Sequence, residues 1–524
     1  MTSMLDRDIL AGYAISTEER DPHESVIQVT RESLPAAART LASVPGTVLT
    51  NVTGLDDRPL GRGFRVLFSF SLPGERFVTL SANLPADAPR YPAVSIDVHS
   101  ADWYERENFD LLGIIPEGHP LLSNLVLHSD WPDDLYPLRK DFPQKAPWPE
   151  RIHPSEPAPR AIGPGIFQYT VGPIRSSIME SGRFIISSLG EEIADVATHL
   201  FWKHRGIEKL CEDMPIDTVV LYAERVAANS AIAHSLAFAQ AVEAATQTSP
   251  PERALVTRVV LAELERLFNR VNDLAMQADA TGLAVGAQQG AIRAEQLRRL
   301  SADVTGHRYL FGSIIPGGVR IDLTASRVTA IRDHLRNLRH DIRGYADALL
   351  SSRSHLDRLE ETGTLSTEVA RDHAVVGPIA RASGLDTDAR RDHPYALYSR
   401  LSFHVPVYER GDALARNQVW IDEVSESISL IEQALDALRP GELAVSVPTL
   451  EPYAEAQGWA EGPRGMVVHR IVANEEGRLY RYKIRTASFV NWHVFHLAAA
   501  GSNILTDFPI IERSFALVLA SNDR

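Results

Sequence analysis

At 524 residues the chain is too long for one ordinary hydrophobic core, so length alone predicts two domains. Its 68 acidic side chains outnumber 53 basic ones, and a net charge of -15 disfavours a phosphate-binding surface, which excludes nucleic acid as an expected partner. A lone cysteine, Cys211, excludes internal disulfides and any metal site that this chain would build from several thiolates.

In chain order, the stretch from Glu32 to Ser43 is helix-like. Between Gly61 and His99 apolar residues alternate: Phe64, Val66, Phe68 and Phe70 share one face, Pro73-Gly74 turns the chain, and Val94, Ile96 and Val98 repeat the pattern. This predicts a small α+β unit with a half-buried antiparallel sheet, ending near Pro143. From Pro143 to Pro164 seven prolines in 22 residues remove backbone donors, so a linker at 144–164 is placed between domains at 1–143 and 165–524. A β-like entry from Phe167 to Ile186 then gives way to helical patterns. Ile216 to Ala245 reads as one helix, whose ten alanines from Ala223 onward let neighbouring backbones approach closely. Val256, Val259, Val260, Leu264, Leu267, Phe268, Val271 and Leu274 recur at helical spacing, with Arg258, Glu265 and Asn269 on the opposite face. The arginine-rich run from Ile331 to Arg343, with Leu335, Leu338 and Asp341 interleaved, reads as a solvated helix face. The expected fold class is therefore α+β, a small N-terminal α+β domain followed by a mainly helical one. No apolar stretch approaches the roughly 18 residues needed to span a bilayer, and MTSMLDRDIL lacks the build of a secretory leader, so a cytoplasmic chain is expected.

Chemical motifs are few. The sequence has no GxGxxG after a strand, no Walker loop, no HExxH and no nucleophile elbow, so neither a dinucleotide nor a nucleotide site follows from it. His119, His204, His234, His307 and His393 share no metal-site spacing, and hydrogen-bonded structural roles are expected of them. Two segments stand out: His204-Arg205-Gly206-Ile207-Glu208-Lys209-Leu210, with alternating charges beside a glycine, and Pro316-Gly317-Gly318-Val319-Arg320, a tight loop carrying a cation. Either is also compatible with a solvent-exposed turn.

Taken together, these segments resemble the 30 kDa and 49 kDa subunits of complex I joined in one chain, as in the large subunits of group 4 membrane-bound nickel–iron hydrogenases of the formate hydrogenlyase type. The first domain carries Glu105-Arg106-Glu107 with Asp110 and Gly113, then Gly118-His119-Pro120, then Pro137-Leu138-Arg139-Lys140-Asp141-Phe142. The second carries Gly172-Pro173, the segment 204–210, Glu265-Arg266-Leu267 and Pro316-Gly317-Gly318-Val319-Arg320 with Asp322. It continues with Asp392-His393-Pro394-Tyr395, Gly411-Asp412 with Arg416, and Pro463-Arg464-Gly465. The resemblance implies two Cys-x-x-Cys pairs holding nickel and iron, because soft thiolates suit these metals. At the corresponding positions stand Ala227 and Ser230, and, after Asp507-Phe508-Pro509, Val518 and Ser521. A nickel centre has no anchor in that set, and no C-terminal extension of the kind cut off after nickel insertion follows Asn522-Asp523-Arg524. Cys211 reads as a buried small hydrophobe.

The resemblance also assigns roles to individual residues. In complex I a histidine in a Gly-Pro-x-His-Pro-like loop meets the quinone head group; here Arg175 stands there, able either to donate to a quinone carbonyl or to pair with a carboxylate. Glu208 corresponds to a proton-transferring glutamate, the alternative being a paired carboxylate, and Arg464 to the arginine over the active metals. With His234 these form the candidate catalytic pocket and proton path; Ala227, Ala228 and Ala231 fit an open cavity and a collapsed one equally. The function implied is that of a nickel-free oxidoreductase-family subunit without a cofactor of its own, facing the cytoplasm against a small iron–sulfur subunit and membrane subunits. It would couple electron transfer to quinone or membrane partners, with any NADH chemistry on another chain. The rival is a non-catalytic scaffold that only holds its neighbours.

Overall fold

Phe64, Val66, Phe68 and Phe70 lie fully buried along one strand of a five-stranded sheet, on the face that their alternation marks out. The computed structural model describes residues 9–145, 163–175 and 180–524. Strands β1 (Ser16–Glu19), β2 (Glu24–Val29), β3 (Val48–Asp56), β4 (Phe64–Leu72) and β5 (Arg76–Leu84) stand in the order β1-β2-β5-β4-β3. β2 runs parallel to β5, and the other neighbouring pairs are antiparallel. Helices Leu34–Ala42 and Asp102–Leu112 share a hydrophobic core with the phenylalanine face.

Two expectations about this unit are corrected. Residues 94–98 form a turn rather than a strand, and Ile96 is exposed while Val94 and Val98 are buried. The cause is Glu105, whose buried carboxylate accepts from Val94 N at 2.8 Å and Ser95 N at 3.1 Å, taking the donors that a ladder would need. Nor is the sheet half-buried. Its polar face is covered by a second sheet of strands Glu455–Gly462, Gly465–Ala473 and Leu479–Arg485. There Thr79 Oγ1 donates to Glu24 Oε1 at 2.5 Å, the Ser69 and Thr79 hydroxyls lie 2.9 Å apart, and Arg470 pairs with Glu24 and donates to Gln457 Oε1 at 3.0 Å. The polar face is buried with its charges paired across the two sheets, Glu24 against Arg470.

In the helical part, Glu252–Ala280 packs between Ala284–Thr305 and Ala413–Ala437. Arg258, Glu265 and Asn269, expected opposite its apolar stripe, are buried as well, so this helix has no solvated face. Arg258, for example, pairs with Glu243 through Nη1 and Oε2 at 3.0 Å. The single helix expected from Ile216 to Ala245 is instead two, Ile216–Ala223 and Ala231–Thr246, separated by a loop with a short turn at Ala228–Ser230. Its alanines do permit close approach: a Cβ on Gly458 would lie 2.2 Å from Ala237 O. Helix Ala325–Ser351 buries Ile331, Leu335, Leu338 and Ile342 and exposes Arg336, Arg339 and Arg343. Most of the expected proline-rich linker, residues 146–162, lies outside the described residues. No described helix is long and apolar enough to cross a membrane.

The sheet unit and the helical part share packing. Phe77 of β5 is fully buried in the helical part's core, its ring 4.3 Å from His393 and 4.7 Å from Trp459 between centroids. Phe77→Ala is expected to cost about 3–5 kcal/mol, the range for a buried phenylalanine, read as a lowered denaturant midpoint.

Candidate functional site

One helix assembles the site. Glu265, Asn269 and Asp273 recur every four residues along Glu252–Ala280 and so project from one face. Glu265 accepts from Ile232 N at 2.7 Å and Ala233 N at 3.1 Å, fixing the start of helix Ala231–Thr246 through its otherwise unpaired backbone donors. Asn269 donates to Asn229 O at 2.7 Å, which anchors the loop carrying Ala227 and Ser230. Asp273 takes the guanidinium of Arg464 bidentately, with Nη2 to Oδ1 at 2.8 Å, and Asn269 Oδ1 adds a contact at 3.2 Å.

Arg464 sits at the two-residue turn Pro463-Arg464, closed by the Gly462 and Gly465 pair. From the same helix, Arg266 donates to Glu461 O at 2.6 Å and Arg270 to Pro463 O. Gly377 crosses behind this turn with a φ of +70°; a Cβ there would lie 2.4 Å from Arg464 O.

Arg205 joins the remaining segments. Its guanidinium donates to Arg225 O at 2.8 Å, Val226 O at 3.0 Å and Ala520 O at 2.7 Å, tying the loop before Ala227 to the helix that follows Val518. Between them lies a cavity of about 530 Å³ whose lining includes Arg175, Arg205, Ala227, Asp273, Arg464 and Val518. Arg175 Nη1 lies 2.6 Å from Glu512 Oε1, and its Nε donates to Glu180 O at 2.9 Å, so the guanidinium is held by a carboxylate at the wall. Ser230 and Ser521 are buried beside the cavity without lining it.

Glu208 and His234 stand elsewhere and are not among the lining residues. Burial pushes the Glu208 carboxyl up, but Lys483, Arg481 and Arg524 outweigh this and hold it at about 2. Its Oε2 accepts from Arg481 Nη1 at 2.8 Å and its Oε1 from Ile484 N at 3.0 Å. His234 Nδ1 lies 2.9 Å from His469 Nε2, and His469 Nδ1 lies 2.6 Å from Tyr482 Oη, a buried chain of three side chains. Burial, with Arg205 adding, lowers His234 to about 3. Burial also pushes the Cys211 thiol up to about 12, which leaves it unreactive near neutrality.

Among the described residues no group of three or more His, Cys, Asp or Glu side chains is placed to hold a metal. With Cys211 as its one cysteine, the chain cannot itself supply four thiolates to a nickel–iron centre. Motif reading missed Asn269's and Asp273's part in holding Arg464, although their four-residue spacing from Glu265 was a usable signal. It also missed Arg205 as the clamp and Glu512 as the partner of Arg175.

A sheet unit packed on a helical unit, with loops converging on a cavity that Arg175, Arg205 and Arg464 line, fits the fused large-subunit organisation that the motif resemblance implies. Comparison supports this directly: residues 27–147 match the family model described as respiratory-chain NADH dehydrogenase, 30 Kd subunit, and residues 287–457 and 445–524 match that of the 49 Kd subunit. Formate hydrogenlyase subunit 5 of Escherichia coli (strain K12) is 34% identical over 94% of this chain and 87% of its own length. Hydrogenase-4 component G of the same organism is 30% identical over 98% of this chain and 90% of its own. Among solved structures, a chain of the membrane-bound sulfane sulfur reductase (MBS), an archaeal respiratory membrane complex, matches with a TM-score of 0.65 and 28% identity, covering 70% of this chain and 100% of that one. The chain belongs to the family of fused 30 kDa/49 kDa complex I-like large subunits that includes formate hydrogenlyase subunit 5.

The buried imidazoles give a pH signature. A histidine lowered from 6.5 to about 3 in the fold takes up its proton mainly on unfolding, so its contribution is complete above about pH 6.5 and is lost as pH falls toward 3. The melting temperature is expected to fall more steeply between pH 6.5 and pH 4 in the native chain than in His234→Gln, as scanning calorimetry would record.

Proposed function

We propose that the chain is the nickel-free large subunit of a membrane-attached, hydrogenase-like or complex I-like oxidoreductase. In this reading it receives electrons from a neighbouring iron–sulfur subunit, couples their passage to quinone or membrane partners, and faces the cytoplasm. One observation carries the proposal: the positions that the resemblance makes thiolates are Ala227, Ser230, Val518 and Ser521, and two of them, Ala227 and Val518, line a cavity of about 530 Å³ with Arg464 held in its wall. The cavity is large enough for a small molecule and brings the cations Arg175, Arg205 and Arg464 to one space. The names of the relatives, a subunit and a component of larger assemblies, support a role among partners.

Within this reading Arg464 and Arg175, which line the same cavity, are the residues that meet a bound substrate or quinone head group. Glu208 carries no exchangeable proton near neutrality, since it stays ionised among Arg481, Lys483 and Arg524. Its contribution to a proton path is therefore to fix charge. The scaffold reading draws on the same packing, for Glu208 and His234 are enclosed away from the cavity.

The test is the nickel and iron content of the protein purified with its associated subunits, by mass spectrometry of the metals. Iron without nickel is the expected result. Stoichiometric nickel would overturn the proposal, and absence of both metals would favour the scaffold.

A further inference from the structure

We infer that the crevice between the N-terminal sheet unit and the helical part binds a small amphiphile with a carboxylate head, and that Arg485 receives the carboxylate. The observation is a buried charge without a counter-charge. Arg485 is fully buried; its Nε donates to Tyr104 Oη at 3.3 Å, its Nη1 donates to Met466 O, and its Nη2 has no partner among the described residues. No described carboxylate forms an ion pair with it.

Other buried arginines show what is missing. Arg258 pairs with Glu243, Arg266 with Glu263, Arg270 with Glu423, Arg390 with Asp388 and Arg470 with Glu24. Arg416, which also lacks a carboxylate within ion-pair distance, donates through Nε to Ser514 Oγ at 3.0 Å, Nη1 to Gly411 O at 2.7 Å and Nη2 to Gly363 O at 2.9 Å. Arg470 also has an amino group without an acceptor, but it pairs with Glu24; Arg485 has neither an acceptor for Nη2 nor a carboxylate partner among the described residues.

Arg485 lines a crevice of about 720 Å³, within the roughly 300–1,000 Å³ typical of small-molecule sites, which favour domain interfaces. Val48, Leu49, Leu72, Val376 and Met466 give it apolar walls contributed by both units. Its carboxylates are largely matched already: Asp388 to Arg390, Glu461 to Arg381, Asp386 and Asp392 to Arg391, and Asp97 to Arg39. Of its remaining charged lining residues, Arg371 and Asp372 are exposed. An apolar chain between such walls with an anionic end at Arg485 satisfies both the surface and the charge. The crevice shares no lining residue with the cavity at Arg464, so the inference stands whether or not the proposed function does.

Titration calorimetry of the full chain with decanoate, decanol and acetate tests it. Decanoate should bind saturably at one site, decanol at least tenfold more weakly, and acetate without measurable heat. Arg485→Met should bring decanoate down to the affinity of decanol. Because that variant alters a buried charge, Val48→Trp is the second arm: it fills the crevice with Arg485 in place and should abolish binding of decanoate and decanol alike. Absence of saturable decanoate binding, equal affinity for decanoate and decanol, acetate binding as tight as decanoate, or unaltered decanoate affinity in Val48→Trp would each overturn the inference.

Discussion

The bidentate pair of Asp273 with Arg464 fixes the geometry on which the candidate site depends, and helix Glu252–Ala280, buried along nearly its whole length, supplies it. Along three turns this helix presents Glu265 to the start of Ala231–Thr246, Arg266 and Arg270 to the carbonyls at 461–463, Asn269 to the loop carrying Ala227, and Asp273 to Arg464. Each contact is charge-assisted or saturates a backbone group. Rotating or shifting this helix would displace every wall of the cavity together.

Buried charge recurs through the molecule as the means of joining parts. Glu24 and Arg470 fasten the two sheets, Lys483 and Arg524 meet Glu107 of the N-terminal unit, and Arg381 with Arg390 gathers Glu423, Asp388 and Glu263. Such networks contribute less net stability than apolar packing of equal volume, but an unpaired member is strongly penalised, so they favour one docking arrangement over others. This arrangement also explains why Phe77 can insert beside His393 and Trp459: the polar seam around it already sets the register.

The main elements were legible where contrast within a segment determines them. Alternation at Phe64–Phe70 and helical spacing at Val256–Leu274 located a strand and a helix with their apolar faces. Periodicity cannot say what covers the other face, and for both elements another buried surface does so. The break at 224–230 had one short local signal, Asn229-Ser230 ahead of Ala231, which the surrounding alanines masked; Glu265, Asn269 and Arg205, distant in sequence, hold the loop in place. At 94–98 the alternation was real but the Glu105 carboxylate had claimed the backbone donors. At the site, motif resemblance pointed to Arg175, Ala227, Arg464 and Val518, which line one cavity, while Glu208 and His234 were grouped with them although a motif carries no depth information.

Arg205 grips the two site segments entirely through main-chain oxygens, those of Arg225, Val226 and Ala520. Every residue type presents that same oxygen, so the clamp is indifferent to which side chains stand at 227, 230, 518 and 521. A frame of this kind lets the chemistry at its centre be rewritten one position at a time while the surrounding architecture stays in place.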